Sequence, residues 1–231
     1  MKEKAVFNWS GGKDSTFALY KVLNAGDFEI VLLLTTINEK YNRISMHGVR
    51  ALLLEQQAES IGIPLRKIML PEIADMDTYT AIMGKETVEL KKEGVSAFIY
   101  GDLFLEDIRK YREKQLSGSG IRPEFPVWNY PTRQVAHDFI NLGFKAVITS
   151  VDASKLDKTF AGRLFDKSLL LDLPPGVDPC GENGEFHTFV FDGPIFSKPV
   201  SFSLGKTLHK TYKLKDKSLN SGFYFTDFVP E

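Results

Sequence analysis

Apolar residues in the first half of this chain come in short unbroken runs, separated by longer stretches with helical spacing. The runs at 4–9 (KAVFNW), 29–37 (EIVLLLTTI), 64–70 (PLRKIML) and 96–102 (SAFIYGD) are strand-sized and predict buried strands. Between the first two, Phe17, Ala18, Val22 and Leu23 fall on one face of a helix over 14–25, with Gly26 placed as its C-terminal cap. Further helices are predicted over 48–62, stopped by Gly62 and Pro64, and over 77–94, which ends in a lysine pair and a glycine. Strand and helix therefore alternate. That order predicts an α/β fold, a doubly wound parallel sheet with helices on both faces. In such a sheet a ligand sits at the carboxyl ends of the strands, near the point where their order reverses. Ser10–Ser15, Thr35–Asn38 and the Gly101–Asp102 pair all fall at such ends.

The texture changes after about residue 118. Residues 117–133 hold three prolines, two glycines and Trp128, a density that interrupts regular elements and reads as a linker. Beyond it the pattern predicts a helix over 132–143, a strand over 144–151 and a helix over 156–166. From 185 onward the chain is rich in Phe, Val and Thr with turn residues between, as in short strands. The expected organisation is two domains, 1–122 and a smaller α+β domain over 123–231.

With 43% hydrophobic residues among 231, a sizeable core can be buried. Thirty acidic residues nearly balance 29 basic ones, a net charge of −1, which disfavours a protein that grips extended nucleic acid. The single cysteine, Cys180, offers neither a disulfide partner nor a thiolate pair for zinc, and reads as structural. The longest apolar run, IVLLL at 30–34, is too short to span a membrane, and the start lacks a secretory signal. The expectation is a cytoplasmic protein without a membrane partner; a homo-oligomer is compatible with the sequence.

The segment NWSGGKDST, residues 8–16, carries the most specific chemistry. A glycine pair leaving a strand lets the backbone approach a ligand, and the amides opening the next helix form an anion nest. Ser10 and Ser15 add hydroxyl donors and Lys13 adds a full charge. The spacing is not that of a Walker A loop, because Asp14 follows the lysine. A carboxylate beside a phosphate calls for an intervening hard cation, so the segment predicts a nucleotide with Mg2+ held through Asp14.

SGGKDS resembles the pyrophosphate loop (PP-loop) of the N-type ATP pyrophosphatases. Three further stretches resemble the diphthine–ammonia ligase family in the same order along the chain: residues 100–128, LDKTFAGR at 156–163 and GENGEFHT at 181–188. The resemblance covers nearly the whole chain. It implies an adenine-nucleotide α-hydrolase-like (HUP type) fold and an ATP-dependent ligase. ATP would activate a carboxylate as an acyl-adenylate, ammonia would displace AMP, and pyrophosphate would leave. In the family the acceptor is diphthine, a modified histidine on elongation factor 2.

Under that resemblance Ser10, Gly11, Gly12, Lys13, Asp14 and Ser15 hold the triphosphate and its metal. Thr35, Thr36, Asn38 and His47 follow the second strand, where an adenine would lie. Asp102 is a candidate ligand of Mg2+ or of the acceptor, beside Gly101. Glu106 and Arg109 lie three apart on one helix face and Glu113 continues it, with Arg109 a candidate neutraliser of an anion. In the GENGEFHT segment, Glu182 and His187 are assigned to the incoming ammonium, Asn183 and Thr188 to the acceptor. Glu185 is assigned as the carboxylate that orients His187 and raises its pKa. Two other readings of the chain stand beside this one: a PP-loop enzyme that modifies tRNA, and a non-catalytic ATP- or AMP-binding protein.

Overall fold

The computed structural model describes residues 2–44, 48–213 and 220–231. Its first sheet is built from β1 (Glu3–Asn8), β2 (Phe28–Asn38), β4 (Leu65–Leu70), β5 (Ala97–Ile99) and β6 (Arg122–Glu124), all parallel to their neighbours. They run in the order β4–β2–β1–β5–β6. A two-residue strand, β3 (Arg43–Ile44), pairs antiparallel with the end of β2. Sequence order therefore descends to β1 and then jumps to β5, so the reversal lies between β1 and β5.

Alternation along the strands covers both faces. Ala5, Phe7, Ala97 and Ile99 join one apolar core; Val6 and Phe98 join another. The first core takes α1 (Lys13–Ala25) and α2 (Ala51–Ile61); the second takes α3 (Met76–Lys92) and α4 (Glu106–Leu116) through Met83, Leu90 and Leu116. Gly26 ends α1 in the left-handed conformation at φ 73, its N–H donating to the Val22 carbonyl at 3.0 Å. Asp75 caps α3 by accepting from the Thr78 N–H at 2.8 Å.

The second sheet is antiparallel, in the order β8–β7–β10–β9. Its strands are β7 (Lys145–Asp152), β8 (Phe186–Asp192), β9 (Phe202–Lys213) and β10 (Asn220–Pro230), with α5 (Thr132–Asn141) and α6 (Lys167–Asp172) alongside. Phe139, Ile148 and Phe189 belong to the same core as Phe7 and Phe17, so one apolar interior runs through both sheets.

Two elements differ from the sequence expectation. Residues 156–166 do not form a helix. A single 3-10 turn at Lys158–Phe160, capped by Asp157, is followed by extended chain against β7. There the Gly162 N–H donates to the Ile148 carbonyl at 2.8 Å, and the Ile148 N–H donates to Arg163 at 2.8 Å. Pairing with β7 outcompetes the helical spacing, and Gly162 at φ 90 makes the bend. The proline-rich stretch also contains β6, which adds to β5 with Pro123 in its middle. A proline is tolerated there because β6 is an edge strand.

Candidate active site where two clefts meet

The turn after β1 is fixed from behind by a glutamine. Gln57 on α2 accepts from the Trp9 indole N–H at 3.0 Å and donates to the Gly11 and Val190 carbonyls at 3.0 and 2.6 Å. Gly11 stands at φ 74, and a Cβ on it would lie 2.6 Å from the Gln57 amide oxygen, so only glycine fits. Strand β8 closes the other side: the Val190 N–H donates to the Gly11 carbonyl at 2.9 Å, and the Lys13 N–H donates to the Thr188 hydroxyl at 3.0 Å. Gly12 opens α1 without a side-chain cap, and the Ser10 and Ser15 hydroxyls stand 2.9 Å apart beside it. The positive end of α1 thus faces outward in a loop held on two sides.

Two clefts open on this loop. One, of about 460 Å3, lies over the ends of β1, β2 and β4 and is lined by Trp9, Thr35, Thr36, Asn38 and Leu70, among others. Thr35 points a buried hydroxyl at no partner among the described residues. Asn38 is held by the Glu72 carbonyl and the Tyr41 N–H. The other cleft, of about 640 Å3, lies between the first sheet and the turn before β8. Lys13, Asp14, Ser15, Gly101, Asp102, Glu182, Asn183, His187 and Thr188 line it. Asn8, Ser10 and Arg112 line both, so the clefts meet at the loop itself.

Lys13 is only 2% exposed. Its ammonium reaches the two Asp14 carboxylate oxygens at 2.8 and 2.7 Å, donates to the Cys180 carbonyl, and lies over the Phe165 and Phe186 rings. Burial works against its charge, but Asp14, with help from Cys180 and Glu182, outweighs it and holds the pKa at about 12. Burial also pulls the Asp14 carboxyl upward against Lys13; with the ammonium against both oxygens, the ion pair is the form this geometry holds. Glu182 accepts from the Leu103 N–H at 3.1 Å. Burial, then the Asp14 and Asp102 charges, push it up to about 7, poised to take or give a proton near neutrality. His187 is driven the other way, to about 4, by burial and by the Lys13 ammonium. It is a neutral imidazole near pH 7.

The turn carrying Glu182 is fixed by its own carboxylates. Asp178 accepts from the Cys180 and Glu182 N–H groups at 2.8 and 3.3 Å, and from the Thr132 hydroxyl at 2.6 Å. Glu185, 1% exposed, accepts from the Asp178 N–H and the Asn183 amide, both at 3.2 Å. Gly181 and Gly184 take φ 68 and 83; a Cβ on Gly181 would lie 2.7 Å from the Phe186 carbonyl oxygen.

Comparison with known proteins fits this architecture. The family model for the diphthamide synthase N-terminal domain matches residues 1–123, and that for the diphthamide synthase C-terminal domain matches 131–217. The chain belongs to the diphthamide synthase family. Among curated relatives, the diphthine–ammonia ligases of Bos taurus and Homo sapiens are each 26% identical over 215 residues, spanning 83% of this chain and 79% of theirs. That of Danio rerio is 26% identical over 223 residues, 86% of either chain.

Within this diphthamide synthase fold, the residues singled out from the sequence separate by position. Ser10, Lys13, Asp14, Ser15, Gly101, Asp102, Glu182, Asn183, His187 and Thr188 gather on the second cleft, Thr35, Thr36 and Asn38 on the first. Gly11 and Gly12 shape the loop from its backbone, and His47 lies outside the described residues. Arg109, Glu106 and Glu185 do not line either cleft. Arg109 pairs with Glu113 at 2.9 Å and stacks over the Trp128 ring at 4.8 Å, while Glu106 is exposed at the start of α4. Glu185 precedes β8 and turns into the loop, so the expected carboxylate-raised imidazole is not formed; His187 is lowered instead. Sequence reasoning missed Asn8, Gln57 and Arg112. Arg112 lies three residues after Arg109 on α4, and the repeat of arginines in RKYRE is the signal that points there. No group of three or more His, Cys, Asp or Glu side chains is arranged to hold a metal among the described residues, and no helix there is long and apolar enough to cross a membrane.

Proposed function

We propose that the protein splits ATP between its α and β phosphates, transfers AMP to an acceptor carboxylate and lets ammonia displace it as an amide. Family membership carries the coarse statement: an ATP-dependent ligase that forms a carbon–nitrogen bond. The observation that supports the finer one is the meeting of two clefts at the loop after β1. Adenosine fits over the strand ends, with the Thr35 hydroxyl available to it; the phosphates fit the α1 amides, Ser10 and Ser15; the acceptor enters from the Glu182 side. Negative charge grows on the departing pyrophosphate, and donors fixed beforehand stabilise it, each by about 3 kcal/mol in comparable sites.

Mg2+ fits the donor set, since Asp14 brings hard carboxylate oxygens to the cleft. When bound, the ion would offset phosphate charge, with one or two carboxylates of the cleft to hold it. Lys13 orders the loop by clasping Asp14 and the Cys180 carbonyl. Glu182, near pKa 7, accepts a proton from ammonium to release the nucleophile, and neutral His187 provides an acceptor nitrogen at the same cleft. Glu185 positions this pair by holding the turn. We further propose two working units, 1–122 for the nucleotide and 123–231 for the acceptor, with β6 across the join. The acceptor, from the names of the relatives, is diphthine on elongation factor 2 or a related carboxylate. Cys180 is buried with its thiol donating to the Thr132 carbonyl, which suits a structural role and not sulfur transfer to tRNA.

The test is amidation itself. The protein, ATP, magnesium and isotope-labelled ammonium are incubated with the acceptor, and mass spectrometry follows the label. Label in an amide of the acceptor is expected; an acceptor that stays unlabelled while ATP is consumed contradicts the reading.

A further inference from the structure

The junction of the clefts holds a cation that the activity described above leaves without a task. Arg112 is one of three residues that line both clefts, and the other two, Asn8 and Ser10, are neutral. The first cleft is otherwise lined by Glu72 and Asp75 as its charged groups. The only other permanently charged cation on either cleft among the described residues is Lys13, whose ammonium is enclosed by Asp14 and the Cys180 carbonyl.

Arg112 is held in a different way. Its guanidinium stacks on the Tyr100 ring at 4.5 Å. Its Nε stands 3.5 Å from Asp102, the long limit of a hydrogen bond, and Tyr79 is a further hydrogen-bond partner. Its side chain remains 24% exposed. Stacking fixes the plane of the fork while most of its five donors stay uncommitted to partners among the described residues. A planar fork with spare donors, set between an adenosine-sized cleft and a carboxylate-lined one, matches the oxygens of a phosphate.

We infer that Arg112 binds the phosphate adjoining the nucleoside, the α-phosphate under attack, and that Asp102 and Tyr100 position it. This rests on the nucleotide reading above and adds to it a fixed, partly solvent-facing charge at the phosphate.

Calorimetry on the full chain with adenosine, AMP and ATP separates the possibilities, with thermal unfolding as a check on the fold. Arg112→Gln is expected to weaken AMP at least about tenfold and to leave adenosine within about twofold. Arg112→Lys, which keeps the charge and loses the fork, is expected to recover part of the AMP affinity, and it serves alone if the glutamine variant does not fold. Unchanged AMP affinity in both variants overturns the inference. So does an equal loss for adenosine and AMP, which marks Arg112 as a support for the cleft wall only. If the unsubstituted protein binds none of the three, the nucleotide reading falls and Arg112 with it. If it prefers AMP to adenosine and the variants do so equally, the nucleotide reading stands and the Arg112 assignment alone falls.

Discussion

The main-chain N–H of Lys13 donates to the Thr188 hydroxyl across 3.0 Å, joining two residues 175 positions apart. The start of α1 is thereby completed by β8, a strand of the other sheet. Thr188→Val removes the acceptor while keeping the shape, and leaves a buried N–H unsatisfied at about 1–3 kcal/mol. Denaturant unfolding is expected to show that loss, and steady-state kinetics a raised KM for ATP. Unchanged values for both would mean that the loop holds its shape without β8.

Lys13 tests the difference between a phosphate ligand and an internal clasp. Read from sequence, it is a phosphate ligand; buried against Asp14, it is part of the fold. Lys13→Met strands the Asp14 carboxylate, which costs about 3 kcal/mol where a buried pair is broken from one side. The double variant Lys13→Met/Asp14→Asn is expected to recover most of that stability in chemical unfolding and none of the turnover. A single variant as stable as the parent contradicts the clasp.

Gly101 follows β5, where the backbone meets the start of α1. A Cβ there would stand 2.8 Å from the Ser15 Cα and 2.9 Å from its nitrogen, and no side-chain rotation relieves a clash with backbone. Gly101→Ala is expected to lower stability by about 1–3 kcal/mol and to weaken ATP binding by displacing α1. Calorimetric titration with ATP checks it; parental affinity would show that the two backbones are not packed this closely.

Glu182 and His187 give stability opposite pH dependences. Glu182 titrates at about 7 when folded against 4.5 when free. Across that window the native state keeps a proton the unfolded chain has lost, so this contribution falls as pH rises. His187 titrates at about 4 against 6.5. There the unfolded chain holds the extra proton, so its contribution rises with pH and is lost on acidification. Relative to the parent between 4.5 and 6.5, Glu182→Gln is expected to gain stability more steeply with pH, and His187→Gln to gain less or decline. Parallel unfolding profiles for all three proteins would contradict the two burials.

Much of the first unit was legible because its signals are local. Period and turn chemistry set α1 with its Gly26 cap, and the α/β alternation set a parallel sheet whose strand ends carry the loop. The SGGKDS and GENGEFHT segments were legible as a pair of motifs, yet nothing in either says that Thr188 reaches Lys13; a contact over that separation depends on tertiary packing. Helical spacing at 156–166 misled because extended pairing with β7 competes with it, and period alone cannot register a partner strand. Arg109 drew attention over Arg112 because both lie on α4 three positions apart. Which of the two faces the clefts is decided by the packing of α4 on Tyr100, a contact no local pattern encodes. Burial of Glu182 and His187 was equally hidden, and it reversed the direction expected for the imidazole.

The central claim concerns which bond of ATP breaks. Chromatography of the nucleotide products, with the parent protein turning over ATP in the presence of acceptor and ammonium, reads this directly. AMP and pyrophosphate in equal amounts, formed in step with acceptor amidation, are the predicted result; ADP and orthophosphate as the products would contradict it.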